Sequence, residues 1–395
     1  MGYIDTDTHV LECEETWDYM DPSERKYRPV QMQVESPGGR PPKQLYIIGD
    51  TLCRRFPTNG QGAGIGFEYT AEISHLKDPA LRVKKMDAIG VDAQIVISTN
   101  FIAAQLEDPY AEAAVMRSWN RWMADRTKGY TDRLRWVMVC PSRTPERAVE
   151  EMRFCAKNGA AAVMLKGIDH GFYLSSHYFD PIYEEAQELN LTIVVHLGGA
   201  RQHIEQLGIT SNLEDSAAES MHSTYRLFSG FYSVLASNLH KRFPRLRFAF
   251  IESGAGWVPY IMHHRQRSLS TADAESFVTD PADAGPTRVI KHMDFAQELE
   301  SRRIFITAEA DEDLGYLSSR LGPNCLMAGS DMCHNDMGSD ILAHTAIMRR
   351  TDVPDDVKRR IVDINPRIAF NIPMDFRPTD SLTAEQRGQI DLAVI

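Results

Sequence analysis

Eight short runs of apolar and β-branched residues recur along the chain, at 3–7, 91–98, 134–140, 161–165, 191–196, 246–251, 303–308 and 325–329. Longer amphipathic stretches separate most of them. Short apolar runs mark strands buried on both faces, and their alternation with helical patterns is what a parallel sheet with crossover helices requires. The helical stretches bring their own start signals. Asp78-Pro79, Thr144-Pro145-Glu146 and Asp180-Pro181 each place a proline in a first helical turn, where its missing N–H leaves no bond unmade. Residues 109–128 gather Trp119, Trp122 and Met123 on one side.

Eight strand–helix units in succession predict an α/β protein with a (β/α)8 TIM barrel. A doubly wound open sheet usually has fewer units. No Gly-x-Gly-x-x-Gly follows the first run either, which argues against a dinucleotide-binding fold. Two connections are too long for plain βα loops, 8–78 after strand one and 197–245 after strand five. Both read as lid-like insertions over a pocket, within one barrel domain spanning 1–377. Residues 378–395 read as a C-terminal arm.

The chemistry lies at the strand ends. Asp7 and His9 form an Asp-x-His pair at the end of strand one, and in extended chain positions i and i+2 point the same way. Lys166 ends strand four, His196 ends strand five, Glu252 ends strand six, and Asp331 follows strand eight. A barrel converges these ends on one axial pocket. Mixed imidazole and carboxylate donors suit zinc, iron or manganese, so a bound divalent ion is expected. Any one of these residues alone has an ordinary structural reading, a capping carboxylate or a hydrogen-bonded histidine. Ligating types at the C-terminal ends of so many separate strands are hard to explain as capping.

The motifs Asp5-Thr6-Asp7-Thr8-His9-Val10-Leu11-Glu12, Val194-Val195-His196-Leu197-Gly198-Gly199, the run from Phe250 through Glu252 to Pro259, and Gly329-Ser330-Asp331-Met332-Cys333-His334-Asn335-Asp336 follow one another along the chain. In this order they resemble the amidohydrolase superfamily, in the amidohydrolase-related branch that includes the metal-dependent nonoxidative decarboxylases. The resemblance spans residues 5 to 336 and implies a metal-dependent barrel, with Asp7, His9, His196 and Asp331 as metal ligands and a homodimer or larger homo-oligomer. In two-metal relatives a lysine at the end of strand four reacts with carbon dioxide and bridges the ions, and Lys166 stands at about that point. An unmodified Lys166, paired with Asp7 or Glu252 or holding a substrate carboxylate, is the alternative. Two departures stand out. The first motif is Asp-x-His where the family often has His-x-His or Glu-x-His. Decarboxylating relatives usually have a histidine after strand six, where this chain has Glu252.

The expected reaction is hydrolysis of an amide, ester or thioester, with water activated by the ion. Asp331 would serve as general base and then acid, and His334 would orient it or stabilise developing charge. Glu252 would hold a second ion or adjust the first. The alternative is nonoxidative decarboxylation of an aromatic or dienoic acid. Candidate substrate contacts are Arg54 in the first insertion, His170 and Tyr173 after strand four, and His222 after strand five; spacing does not choose among them.

Charge and cysteine usage bound the partners. The formal charge of -12 repels nucleic-acid phosphates and anionic membrane surfaces, leaving a small molecule as the expected partner. No stretch reaches the roughly 18 apolar residues of a membrane span. The six cysteines form no C-x-x-C pair and lie far apart, as expected of reduced thiols in a cytoplasmic protein.

Overall fold

The computed structural model describes residues 2–35, 43–49, 51–54, 69–198, 216–271, 292–334, 338–378 and 382–389. All eight apolar runs are strands: β1 (Ile4–Val10), β2 (Ala93–Ser98), β3 (Leu134–Val139), β4 (Ala160–Leu165), β5 (Thr192–His196), β6 (Phe248–Ile251), β7 (Ile304–Ala308) and β8 (Leu326–Ala328). They stand in chain order, each paired in parallel with the next.

The sheet closes just beyond β8. Asp331 N donates to Asp7 O at 2.9 Å and His9 N donates to Met332 O at 2.8 Å. The Asp5 carboxylate bolts this seam by accepting from Ser330 N at 2.9 Å and Ser330 Oγ at 2.6 Å. A Cβ at Gly329 would stand 2.5 Å from Asp7 Cβ, so the close approach of the two chain ends requires glycine there. β1 is polar yet wholly buried, and alternation explains how. Asp7 and His9, two residues apart, share one face, while the register slips between Asp5 and Thr8. Thr6 and Thr8, on the other, donate to the backbone carbonyls of Ala328 and Ile95, both at 2.9 Å.

The helices start where proline placed them. α1 (Pro79–Ala88) has Asp78 accepting from Leu81 N, and α2 (Pro109–Arg126) has Asp108 accepting from Tyr110 N. α2 buries Trp119, Trp122 and Met123 against the barrel wall. Next come α3 (Pro145–Lys157), α4 (Asp180–Glu188), α5 (Ser216–Ala236) and α6 (Val258–Thr271).

The first insertion holds two short 3-10 turns, Glu14–Tyr19 and Pro22–Tyr27, and an antiparallel sheet of Val30–Val34, Lys43–Ile48 and Thr51–Arg54. It is packed down by aromatic contacts, with the Trp17 ring 6.2 Å from that of Tyr46 and 6.4 Å from that of Phe101. The second insertion contains α5. The described part of the C-terminal arm, 382–389, lies on its own barrel. Its helix Ala384–Gly388 brings buried Arg387 to Asp92, 2.6 Å away, and to the Gly90 carbonyl at 2.9 Å, just ahead of β2. All six cysteines are free and buried. No helix among the described residues is long and apolar enough to cross a membrane.

Candidate metal centre

The seam that closes the barrel also builds the centre. Asp7 and His9 come from β1, Asp331 from the turn after β8, and His196 from the last residue of β5. Their donor atoms meet above the axis. His9 Nε2 lies 3.3 Å from Asp7 Oδ1, 3.2 Å from Asp331 Oδ1 and 3.1 Å from His196 Nε2. His196 Nε2 is 3.4 Å from Asp7 Oδ1. All four side chains are buried. Two imidazole nitrogens that face each other between two carboxylate oxygens can share only one N–H···N bond. Asp331 Oδ1 is buried with no aligned hydrogen bond, although His334 Nδ1 is 2.8 Å away. Imidazole nitrogens and carboxylate oxygens gathered this closely are what a cation needs, and this nitrogen and oxygen set fits a divalent ion.

The surrounding residues aim the donors. His196 Nδ1 faces Glu252 Oε2 at 3.1 Å and the Leu197 carbonyl at 2.5 Å, which keeps its proton on that side and leaves Nε2 free to ligate. Ser339 Oγ donates to Asp331 Oδ2 at 2.7 Å. The His334 ring stacks on His9, with centroids 3.6 Å apart and planes 18° from parallel. Glu252 and Asp331 both have left-handed backbones, at φ 57° and 51°, an unfavourable conformation for such residues that holds both carboxylates at the centre.

Electrostatics agree with this geometry. Burial works against charge on Asp7, yet the hydrogen bonds from His196 and His9 hold its carboxyl well below the usual range. Burial likewise opposes charge on His196, but Glu252 and Asp7 raise that imidazole to about 9. Asp331 and Glu252 overcome burial to lift His334 well above its ordinary value. The carboxylates that draw protons onto these imidazoles would draw a cation in their place, and metal binding displaces such protons.

Among the described residues, two groups could hold an ion: Asp7, His9 and His196, and His9, Glu252 and His334. The structure therefore brings Asp7, His9, His196, Glu252, Asp331 and His334 together. Lys166 does not join them. β4 and β5 pair Leu165 with Val195, which sets Lys166 beside His196 in the sheet, but its ammonium turns away and donates to the Ala104 carbonyl. Burial lowers Lys166 to about 8, and its charged neighbours are Asp169, Arg226 and Glu112.

The expected substrate contacts disperse. His170 is buried in a separate polar knot, its Nε2 3.1 Å from Glu112 Oε1, 3.3 Å from Asp169 Oδ1 and 3.0 Å from Ser142 Oγ. Tyr173 lines an outer groove of about 680 Å³ with Tyr225 and Tyr260, between α5 and α6. Arg54 ends a strand of the small sheet and His222 lies on α5; the side chains of both are outside the described residues.

Sequence reading passed over Thr99, whose hydroxyl lies 3.2 Å from His334 Nε2, and Ser339. Thr99 had a signal, since it is a polar residue just past the C-terminal end of β2. Ser339 had none, because only the path of the turn after β8 brings it to Asp331.

The family model for amidohydrolases matches residues 75–372, well over half of the chain. An amidohydrolase from Mycobacterium avium subsp. paratuberculosis is similar in structure, with a TM-score of 0.69 at 17% identity, covering 92% of this chain and 97% of its own. A manganese-bound 5-carboxyvanillate decarboxylase from Novosphingobium aromaticivorans gives 0.60 at 16%, covering 94% and 97%. The 4-oxalomesaconate hydratase from Rhodopseudomonas palustris gives 0.55 at 16%, covering 94% and 96%. At such identities the likeness speaks for the barrel, and the family model for more than the barrel. The chain belongs to the amidohydrolase family.

Proposed function

We propose that this chain is a metal-dependent hydrolase that uses water against the amide, ester or thioester carbonyl of a small, apolar or aromatic molecule. The observation that carries this reading is the number of carboxylates at the centre. Asp7 and Asp331 already balance a divalent charge, and Glu252 adds a third carboxylate that a charged His334 offsets. A site brought to neutrality by its own residues has no charge to spare for an anionic carboxylate, whereas a neutral carbonyl needs none.

Asp7, His9, His196 and Asp331 would hold the ion, zinc first and manganese or iron next, with Glu252 fixing His196 from behind. When bound, such an ion supplies a water of lowered pKa and polarises the carbonyl. Asp331 takes the proton from the attacking water and returns it to the leaving group. His334, 2.8 Å from Asp331 Oδ1, holds that carboxylate in place between the two transfers.

Nonoxidative decarboxylation is the second reading. It is favoured by the full-length likeness to 5-carboxyvanillate decarboxylase. Zinc- or manganese-loaded protein incubated in ¹⁸O-water with p-nitrophenyl acetate and with 5-carboxyvanillate separates the two. Label in the acetate product supports hydrolysis. Carbon dioxide from the aromatic acid, with no ester cleavage, would replace it with decarboxylation.

A further inference from the structure

His334 is held by several neighbours, Glu252 Oε1 among them at 3.9 Å from its Nδ1. Its Nδ1 approaches Asp331, its face lies on His9, and its Nε2 meets Thr99 Oγ1 at 3.2 Å. We propose that Thr99 is a positioning residue for the reaction, its hydroxyl fixing the His334 ring so that Nδ1 stays on Asp331. This rests on the reading of Asp331 as the proton carrier.

Stacking resists tilting of the ring but leaves it able to flip about its bond to Cβ, which would trade Nδ1 for a carbon. An in-plane partner at Nε2 resists that flip. A hydroxyl suits the task because it donates or accepts as the facing nitrogen demands. Other threonines of the barrel behave differently. Thr6 and Thr8 donate to backbone carbonyls, the usual fate of a buried threonine hydroxyl. Thr99 instead faces a side chain of the centre.

The segment around Thr99 is anchored from below. Thr99 N donates to the Val10 carbonyl at 3.1 Å, across to the end of β1. Its two neighbours are tied to the buried Glu12 carboxylate: Ser98 Oγ donates to Oε1 at 2.5 Å and Asn100 N donates to Oε2 at 3.1 Å. Trp119 Nε1 adds a third bond to Oε1 at 2.9 Å. A fully engaged buried carboxylate is a rigid support, and here it stiffens the residues on both sides of Thr99. Glu12 closes the first sequence motif, three positions past His9.

The test compares Thr99→Val, which keeps the shape and removes the hydroxyl, with Thr99→Ser, which keeps the hydroxyl. Both are purified as zinc-loaded full-length protein with ¹⁵N-labelled histidine, and the His334 signals are identified by their loss in His334→Gln. The valine variant is expected to keep its zinc and its Tm while its His334 Nε2 resonance shifts. With p-nitrophenyl acetate its kcat should fall about tenfold to a hundredfold, and its KM should stay within about twofold. The serine variant should return both resonance and kcat close to those of the parent. An unmoved Nε2 resonance in the valine variant overturns the proposal, and so does loss of zinc, which would make Thr99 part of the ion's own support. The NMR arm stands even if the parent protein cleaves no ester, so failure of the hydrolase reading is seen separately.

Discussion

Two buried polar clusters stand at the C-terminal ends of neighbouring strands, and they are built from the same residue types. The candidate metal centre sets His9 Nε2 within 3.1 to 3.3 Å of Asp7, Asp331 and His196, with His196 Nε2 3.4 Å from Asp7. The knot around His170 sets Glu112, Asp169 and Ser142 about one imidazole nitrogen. In the knot donors meet acceptors. Ser142 Oγ donates to Asp169 Oδ2 at 3.0 Å, and Arg143 N donates to Glu112 Oε2 at 2.9 Å. Even backbone strain is common to both, since His170 has φ 50°. The difference teaches that burial, charge and strain do not single out an ion site. What sets the two apart is what faces the imidazole nitrogens: His9 Nε2 and His196 Nε2 face each other at 3.1 Å, whereas His170 Nε2 meets oxygens alone, although each cluster keeps a buried atom without a hydrogen bond, Asp331 Oδ1 in one and His170 Nδ1 in the other.

Removing the ion should divide the two clusters most sharply. EDTA-treated protein is expected to lose at least about a thousandfold in turnover and to regain it with zinc or manganese, and Asp331→Asn should be equally inactive while keeping its Tm. Full activity in chelator would erase the distinction between the clusters. At the knot the effect should fall on stability. Glu112→Gln leaves a buried charge pattern unbalanced and should cost about 3 kcal/mol in urea unfolding, with metal content by atomic absorption unchanged. A loss of metal there would join the clusters into one site.

Glu12 lies between the two cases, buried like the centre and hydrogen-bonded like the knot. Burial raises its carboxyl from the ordinary 4.5 to about 7, with the bonds from Ser98, Asn100 and Trp119 offsetting only part of that cost, so the folded chain holds a proton there more tightly than the unfolded one. That share of stability is complete below pH 4.5 and is lost as pH rises through 7. Relative to Glu12→Gln, the parent should therefore lose about 3 kcal/mol between pH 4 and pH 8, measured by urea titration. An equal change in both proteins would show that Glu12 does not titrate in that window. The smallest effect is expected at Lys166. Lys166→Met should keep the parent's metal stoichiometry and shift stability by no more than about 1 kcal/mol, because the ammonium holds a backbone carbonyl away from the centre. Loss of one metal equivalent would instead make Lys166 a bridging ligand.

The strands were legible because their signal is local. Apart from β1, which is polar, each run needed only its own residues to announce burial on both faces, and the prolines at Pro79, Pro145 and Pro181 announced the helices between. The convergence of Asp7, His9, His196, Glu252, Asp331 and His334 was legible for a related reason. Closing a barrel brings strand ends together whatever the loops do. The loop residues were not legible in this way. His170 and Tyr173 follow the same strand as Lys166, yet one turns into a buried knot and the other out to a surface groove. Ser339 reaches the centre by the course of its loop, which no periodicity records, whereas Thr99 stands one residue past the end of β2.

The sequence by itself determined the barrel and which residues stand at its mouth, because strand alternation repeats every two residues and order along the chain becomes order around the cylinder. Only the tertiary structure decided which atoms face each other there. That depends on how β1 and β8 meet at Gly329, on the left-handed turns at Glu252 and Asp331, and on whether a side chain finds a partner before it reaches the axis, as Lys166 does at Ala104. These are contacts between distant parts of the chain, and their geometry is set by closure and packing rather than by any local pattern.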